Sequence, residues 1–82
     1  MSLKRRFERA AKKVWRLNAK PDNSTLLRLY ALYKQATDGD CEGKARGDIK
    51  ERAKHKAWRN FNGTSEVDAM EQYCNLVKSL MG

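Results

Sequence analysis

The 82 residues hold only one proline, one histidine and two cysteines, and no long apolar run. Each shortage removes a class of protein. Cys41 and Cys74 stand apart with no paired cysteine spacing. Neither a zinc site nor a disulfide framework is therefore expected, and free thiols in a reducing compartment are. No segment approaches the about 20 apolar residues that span a bilayer. The opening MSLKRRFERAAKK is charged but has no apolar stretch behind it, which argues against a secretory signal. Its basic, amphipathic pattern leaves a mitochondrial targeting role open. Glu8 and the continuous helical periodicity favour an ordinary structural helix, and the expected location is the cytoplasm.

Catalytic signatures are missing too. His55 sits in Lys54-His55-Lys56, where neighbouring cations disfavour its charged form, and it reads as a surface residue. There is no HExxH, no nucleophile motif and no phosphate-binding glycine loop. The carboxylates and hydroxyls fall mostly at helix starts or beside basic residues, where capping and solvation account for them. The expectation is a protein without catalytic residues, metal or cofactor.

What is abundant is positive charge. Eighteen Lys and Arg against 10 Asp and Glu give a net charge of +8. Such a balance calls for an anionic partner: nucleic acid, an anionic membrane or a phosphorylated small molecule. Charge alone does not choose among them.

Apolar residues recur at helical spacing in four segments. The first carries Leu3, Phe7, Ala10, Ala11, Val14 and Leu17, and Pro21 ends it or opens the next. The second starts near Asp22 to Thr25 and carries Leu26, Leu27, Leu29, Tyr30, Leu32, Tyr33 and Ala36. It is apolar on more than one side, so a central helix is expected. The third opens at Asp48 with Glu51 three residues on, a box-like start, and carries Ile49, Ala53, Ala57, Trp58 and Phe61 up to Asn62-Gly63. Ser65 and Asp68 form a second such start for the fourth, which carries Val67, Met70, Tyr73, Cys74, Val77, Leu80 and Met81. No stretch alternates with a period of two. The fold class is therefore all-α, one domain over residues 1–82. Short turns predict antiparallel pairs at each end of the chain. The longer Thr37–Gly47 link can cross the molecule, which gives an up-down-down-up bundle.

One stretch, LYALYKQATDGD at residues 29–40, gathers two phenols and an ammonium. Tyr30, Tyr33 and Lys34 are neighbours at i, i+3 and i+4. They could be core tyrosines with a solvated lysine, or part of a pocket for something aromatic and anionic. The leucines at 26, 27, 29 and 32 can already supply a core. Tyr73 on the fourth helix and Lys54 on the third would complete a site if they converged, which spacing cannot show. A flat ring with several phosphates, such as a nucleotide, suits that set of groups.

YALYKQATDGD, then KAW, then NGTSEVDAMEQY, together with the Lys20-Pro21 step, resemble the acyl-CoA-binding protein family. The likeness runs from about Phe7 to the C-terminus, with the pieces in order at nearly the family spacing. It implies an up-down-down-up four-helix bundle, reached above without it. It implies that Tyr33 stacks on the adenine of coenzyme A. Lys34 and Lys54 bind its phosphates, chiefly the 3′-phosphate, and Tyr30 and Tyr73 hydrogen-bond phosphates and line the channel. Leu26 and Leu27 are the candidates for the acyl-chain groove. Three departures stand out. Trp15 occupies a position where the family often has a phosphate-binding Lys, so Lys12 or Arg16 are the substitutes. His55 replaces a family Trp. The long loop is slightly shorter and lacks Arg-Pro-Gly, so chain-length preference is the property expected to differ.

The ligand implied is a medium- to long-chain fatty acyl-CoA, carried by a monomer. Two rivals remain. One is a small basic helical nucleic-acid-binding protein, with KRRFERAAKK and KERAKHKAWR as basic faces. The other is contact of the first helix with a membrane surface, transient at most, with Trp15 as anchor.

Overall fold

The computed structural model describes residues 2–17 and 19–81. Four α-helices occur in it: α1 Leu3–Lys13, α2 Asn23–Asp38, α3 Ile49–Arg59 and α4 Glu66–Met81. Each start has a side-chain cap. Ser2 accepts from the Arg5 amide at 3.3 Å, Asp22 from Thr25 at 2.8 Å, Asp48 from Glu51 at 2.9 Å and Ser65 from Asp68 at 3.0 Å. These bonds satisfy amides that a helix start otherwise leaves without partners, each worth about 1 kcal/mol. α2 stops at Gly39, whose φ of 83° is a conformation that side-chain-bearing residues rarely adopt.

The helices form an up-down-down-up bundle with α2 at its centre. α2 packs on α4 and α3, and α1 packs on α4. α4 thus packs on the two helices more distant in sequence, while the two short turns link helices that hardly touch. The core is Phe7 and Ala10 from α1, Leu29, Leu32 and Ala36 from α2, and Ala69, Tyr73, Cys74 and Val77 from α4. Fully burying a side chain such as Leu32 or Val77 contributes roughly 1.5–3 kcal/mol. Both cysteines are free and buried.

Three expectations need correction. The first helix does not run unbroken to Leu17; it tightens into a 3-10 turn over Val14–Arg16, and Leu17 is extended with ψ 135°. Tight turns of this kind commonly end α-helices, and here the chain must swing toward Pro21. α3 ends at Arg59, so Phe61 lies in the turn beyond it, where its amide bonds the Trp58 carbonyl at 3.0 Å. Ile49, placed on the apolar stripe of α3, is 87 % exposed. α3 is an outer helix packed on α2 alone, and its first residue projects past that contact.

Residues 39–48 connect α2 to α3, and the near end of this loop is fastened to the α3–α4 turn. Gln35 is 1 % exposed, and its amide donates to Asp40 Oδ1 and to the Thr64 carbonyl, both at 2.8 Å. The Gly63 amide donates to the same Asp40 oxygen at 2.8 Å. Cys41 and Asn62 exchange two further bonds, at 2.7 and 3.2 Å. Trp58 Nε1 donates to the Gly39 carbonyl at 2.8 Å. These bonds set where α3 begins relative to the tyrosines of α2.

Candidate functional site

Helical spacing puts Tyr30 and Tyr33 on one side of α2, and the packing of α1 and α4 builds the rest of the wall. Tyr33 stacks on Phe7 with centroids 5.5 Å apart and planes at 26°. Tyr73 meets Phe7 edge-on at 5.1 Å and lies 6.1 Å from Tyr33. Tyr73 is 4 % exposed, whereas Tyr33 keeps 42 % of its surface in solvent. A ring so exposed, yet held on one side by another ring, is oriented for a further aromatic group. Burial pushes the Tyr73 phenol up to about 12.

Tyr30, Tyr33 and Tyr73 line a groove of about 750 Å³ with Leu26 and Leu29. Its opposite bank is the C-terminal part of α1 and the segment leading to Pro21, including Val14, Trp15, Leu17 and Lys20. The lining thus combines phenolic rings with apolar side chains.

The two lysines sit beside this groove rather than in it. Lys54 comes over from α3, its Nζ 5.5 Å from the centre of the Tyr30 ring and 3.7 Å from Glu51. Lys34 binds Asp38 one turn on, and its Nζ lies 5.0 Å from the centre of the Trp58 ring. The hydrogen bond to Asp38 raises the Lys34 ammonium above its ordinary value, so it stays charged at neutral pH. The convergence of α2 and α3 that spacing left open is therefore present. Tyr30 forms the divide, with groove on one side and the Lys54 ammonium over its ring. Such a rim can bind phosphate oxygens through two ammonium groups while the tyrosines hold a flat ring.

The remaining candidates separate. Leu26 is in the groove, but Leu27 faces a different depression between α2 and α3, with Arg28, Ala57 and Phe61. Lys12 and Arg16 are exposed on the last turns of the first helical segment. Arg16 borders a neighbouring depression with Leu80 and Met81, and neither cation lines the tyrosine groove. Lys20 does line it, and sequence reasoning passed over that role. Its only signal was its place next to Pro21. Trp15, weighed as an absent lysine, is part of the wall.

His55 is half-buried rather than a surface residue. The Cys41 sulfur lies 3.4 and 3.5 Å from its two ring nitrogens. The thiol also donates to the His55 carbonyl at 3.8 Å, so these contacts pack the loop on α3. Among the described residues no group of three His, Cys, Asp or Glu could hold a metal ion.

Fold and groove define a small all-helical ligand-binding domain with a basic, aromatic rim. Comparison with known proteins makes this specific. Residues 4–77 match the family model described as Acyl CoA binding protein. The chain is 47 % identical over 83 residues to a Brassica napus Acyl-CoA-binding protein, covering 99 % of this chain and 90 % of that protein. It is 47 % identical over 77 residues to the Acyl-CoA-binding protein of Saccharomyces cerevisiae, covering 92 % and 88 %. The crystal structure of Oryza sativa Acyl-CoA-Binding Protein 2 superposes with a TM-score of 0.92 at 38 % identity, covering 98 % of this chain and 91 % of that one. The chain belongs to the acyl-CoA-binding protein family.

Proposed function

We propose that this protein binds medium- to long-chain fatty acyl-CoA thioesters non-covalently and serves as an intracellular carrier and pool former for them. The observation that supports this most is the groove itself: three tyrosines and a set of apolar side chains line it, and two lysines stand beside it. In this reading Tyr33 stacks on the adenine, and Lys34 and Lys54 hold phosphates, with Tyr30 and Tyr73 completing the head-group site. Leu26 lines the path of the acyl chain, whereas Leu27 faces the separate depression between α2 and α3. Lys12 and Arg16 lie close enough in sequence to Trp15 to assist with phosphates. The chain acts as one domain over residues 1–82, as a cytoplasmic monomer without catalytic activity.

Each methylene removed from water contributes roughly 0.8 kcal/mol, so shielding about eight gives ~6 kcal/mol before ordering costs. Charge-assisted bonds to phosphate add about 1.5–3 kcal/mol each and set head-group specificity. The protein should therefore bind palmitoyl-CoA far more tightly than CoA, and palmitate scarcely. Calorimetry on delipidated protein with all three tests this. Equal affinity for palmitoyl-CoA and CoA would remove the carrier reading. Net charge alone is equally compatible with a nucleic acid, but such binding would collapse with salt, whereas chain burial persists.

A further inference from the structure

We propose that the face between α1 and α4 docks an acidic amphipathic helix of a partner protein. A depression of about 360 Å³ lies between these two helices and shares no lining residue with the tyrosine groove. Its cations are Arg6, Arg9 and Lys13 from α1 and Lys78 from α4. Its apolar lining is Ala10, Cys74, Val77 and Met81. The first three are buried, whereas Met81 keeps 48 % of its surface in solvent. The groove takes Ala11 and Val14 from the first helical segment instead, so this segment presents different sides to the two sites.

Arg6, Arg9 and Lys13 follow at i, i+3 and i+7, which sets them in a row about 10 Å long on one side of α1. All three are exposed, as is Lys78. Neither of the two ion pairs among the described residues uses any of them. The nearby carboxylates stand off. Glu8, two residues after Arg6, is turned to nearly the opposite side of α1. Glu71, a turn before Cys74 on α4, does not line the depression. Cations on both banks with an apolar strip between them complement a helix whose apolar stripe is flanked by carboxylates. Such a helix repeats its side chains at three- and four-residue intervals, the intervals of the Arg6, Arg9 and Lys13 row. The arginine forks can each take a carboxylate through two hydrogen bonds. A nucleic-acid duplex would use the same cations but set phosphates against Val77 and Met81, leaving the apolar strip without a role. Because depression and groove share no residue, a partner can hold the chain while the groove is filled. That consequence rests on the carrier reading; the docking does not.

The test titrates the full chain by calorimetry at physiological salt. The probe is a synthetic peptide of about 15 residues, long enough to form a helix in water, with Leu at i, i+3, i+4 and i+7 and Glu on either side of that stripe. It should bind at least about tenfold more tightly than a scrambled peptide of the same composition. Arg9→Glu with Lys13→Glu, and separately Met81→Ser, should each weaken it, the double reversal by about tenfold or more. Palmitoyl-CoA affinity should stay the same in both variants, and saturating palmitoyl-CoA should leave peptide affinity unchanged. Circular dichroism identical to the parent confirms that the variants fold, as expected for exposed positions. Absence of peptide binding overturns the proposal, and so does undiminished binding by both variants. Equal affinity for the scrambled peptide, or a DNA duplex that displaces the peptide and binds Met81→Ser as tightly as the parent, would show a polyanion site instead. Displacement of the peptide by palmitoyl-CoA would place it in the groove and likewise overturn the proposal. Peptide binding by a chain that fails to bind palmitoyl-CoA leaves the docking standing and removes only the carrier reading.

Discussion

Tyr73→Phe removes one hydroxyl from the groove and leaves the ring's edge on Phe7. Burial raises the Tyr73 phenol from 10.0 to about 12. The unfolded chain therefore gives up this proton first. The protonated phenol stabilises the fold below pH 10, and the contribution is lost as pH rises from about 10 through 12. With those two values the linked loss at pH 11 is about 1.4 kcal/mol relative to neutral pH. Water in the open groove screens the phenolate, so this is an upper figure. Urea midpoints of parent and variant at pH 8 and pH 11 measure it. For a small domain the parent's midpoint should fall by up to about 1 M more than the variant's. All other groups are common to both chains and cancel in the comparison. Equal shifts would refute the reasoning, because the hydroxyl would then be as solvated folded as unfolded. At neutral pH the variant should be close to the parent in stability and bind palmitoyl-CoA up to about tenfold more weakly, one lost hydrogen bond.

Lys54→Ala should weaken palmitoyl-CoA binding about tenfold or more in calorimetry with little change in melting temperature, since the ion pair of Lys54 with the exposed Glu51 is loose, at 3.7 Å. Tyr33→Ala should weaken it as well, but it also removes the stack on Phe7 and costs about 1 kcal/mol of stability, which Tyr33→Phe avoids. Gln35→Leu keeps the volume but deprives Asp40 and the Thr64 carbonyl of their donor, so it should cost about 1–3 kcal/mol, read by denaturant unfolding. A neutral result there would mean the loop is fastened by its other bonds. Both thiols are buried, and burial pushes Cys74 above its ordinary value, so a disulfide reagent should label the folded chain slowly and the unfolded chain at once.

Three helix starts, at Asp22, Asp48 and Ser65, were legible because each is a local event: an Asp or Ser three residues before the amide it caps. The central place of α2 was legible as well, since apolar residues on more than one side need more than one neighbour. Ile49 misled because a stripe tells which side of a helix is apolar, not how far along it the partner reaches. The break after Lys13 left no mark in the periodicity, because a 3-10 turn keeps the next few side chains near the expected face. His55 misled for a related reason. Its lysine neighbours describe its sequence, whereas its burial comes from Cys41, fourteen residues away in the chain.

The site divides along the same line. Tyr30, Tyr33 and Lys34 lie within one turn of helix, so helical geometry alone groups them. Lys54 reaches Tyr30 from α3, and Gln35, itself one residue past Lys34, helps to place that helix by binding Asp40 and Thr64 and so tying the inter-helix loop to the α3–α4 turn. A single short stretch of α2 thus carries both the aromatic half of the site and the buried amide that helps position the basic half. The two functions cannot be separated by distance in sequence, but they can be by substitution. Lys54→Ala should reduce affinity without loosening the fold. Gln35→Leu should loosen the fold and, through the position of α3, reduce affinity as well.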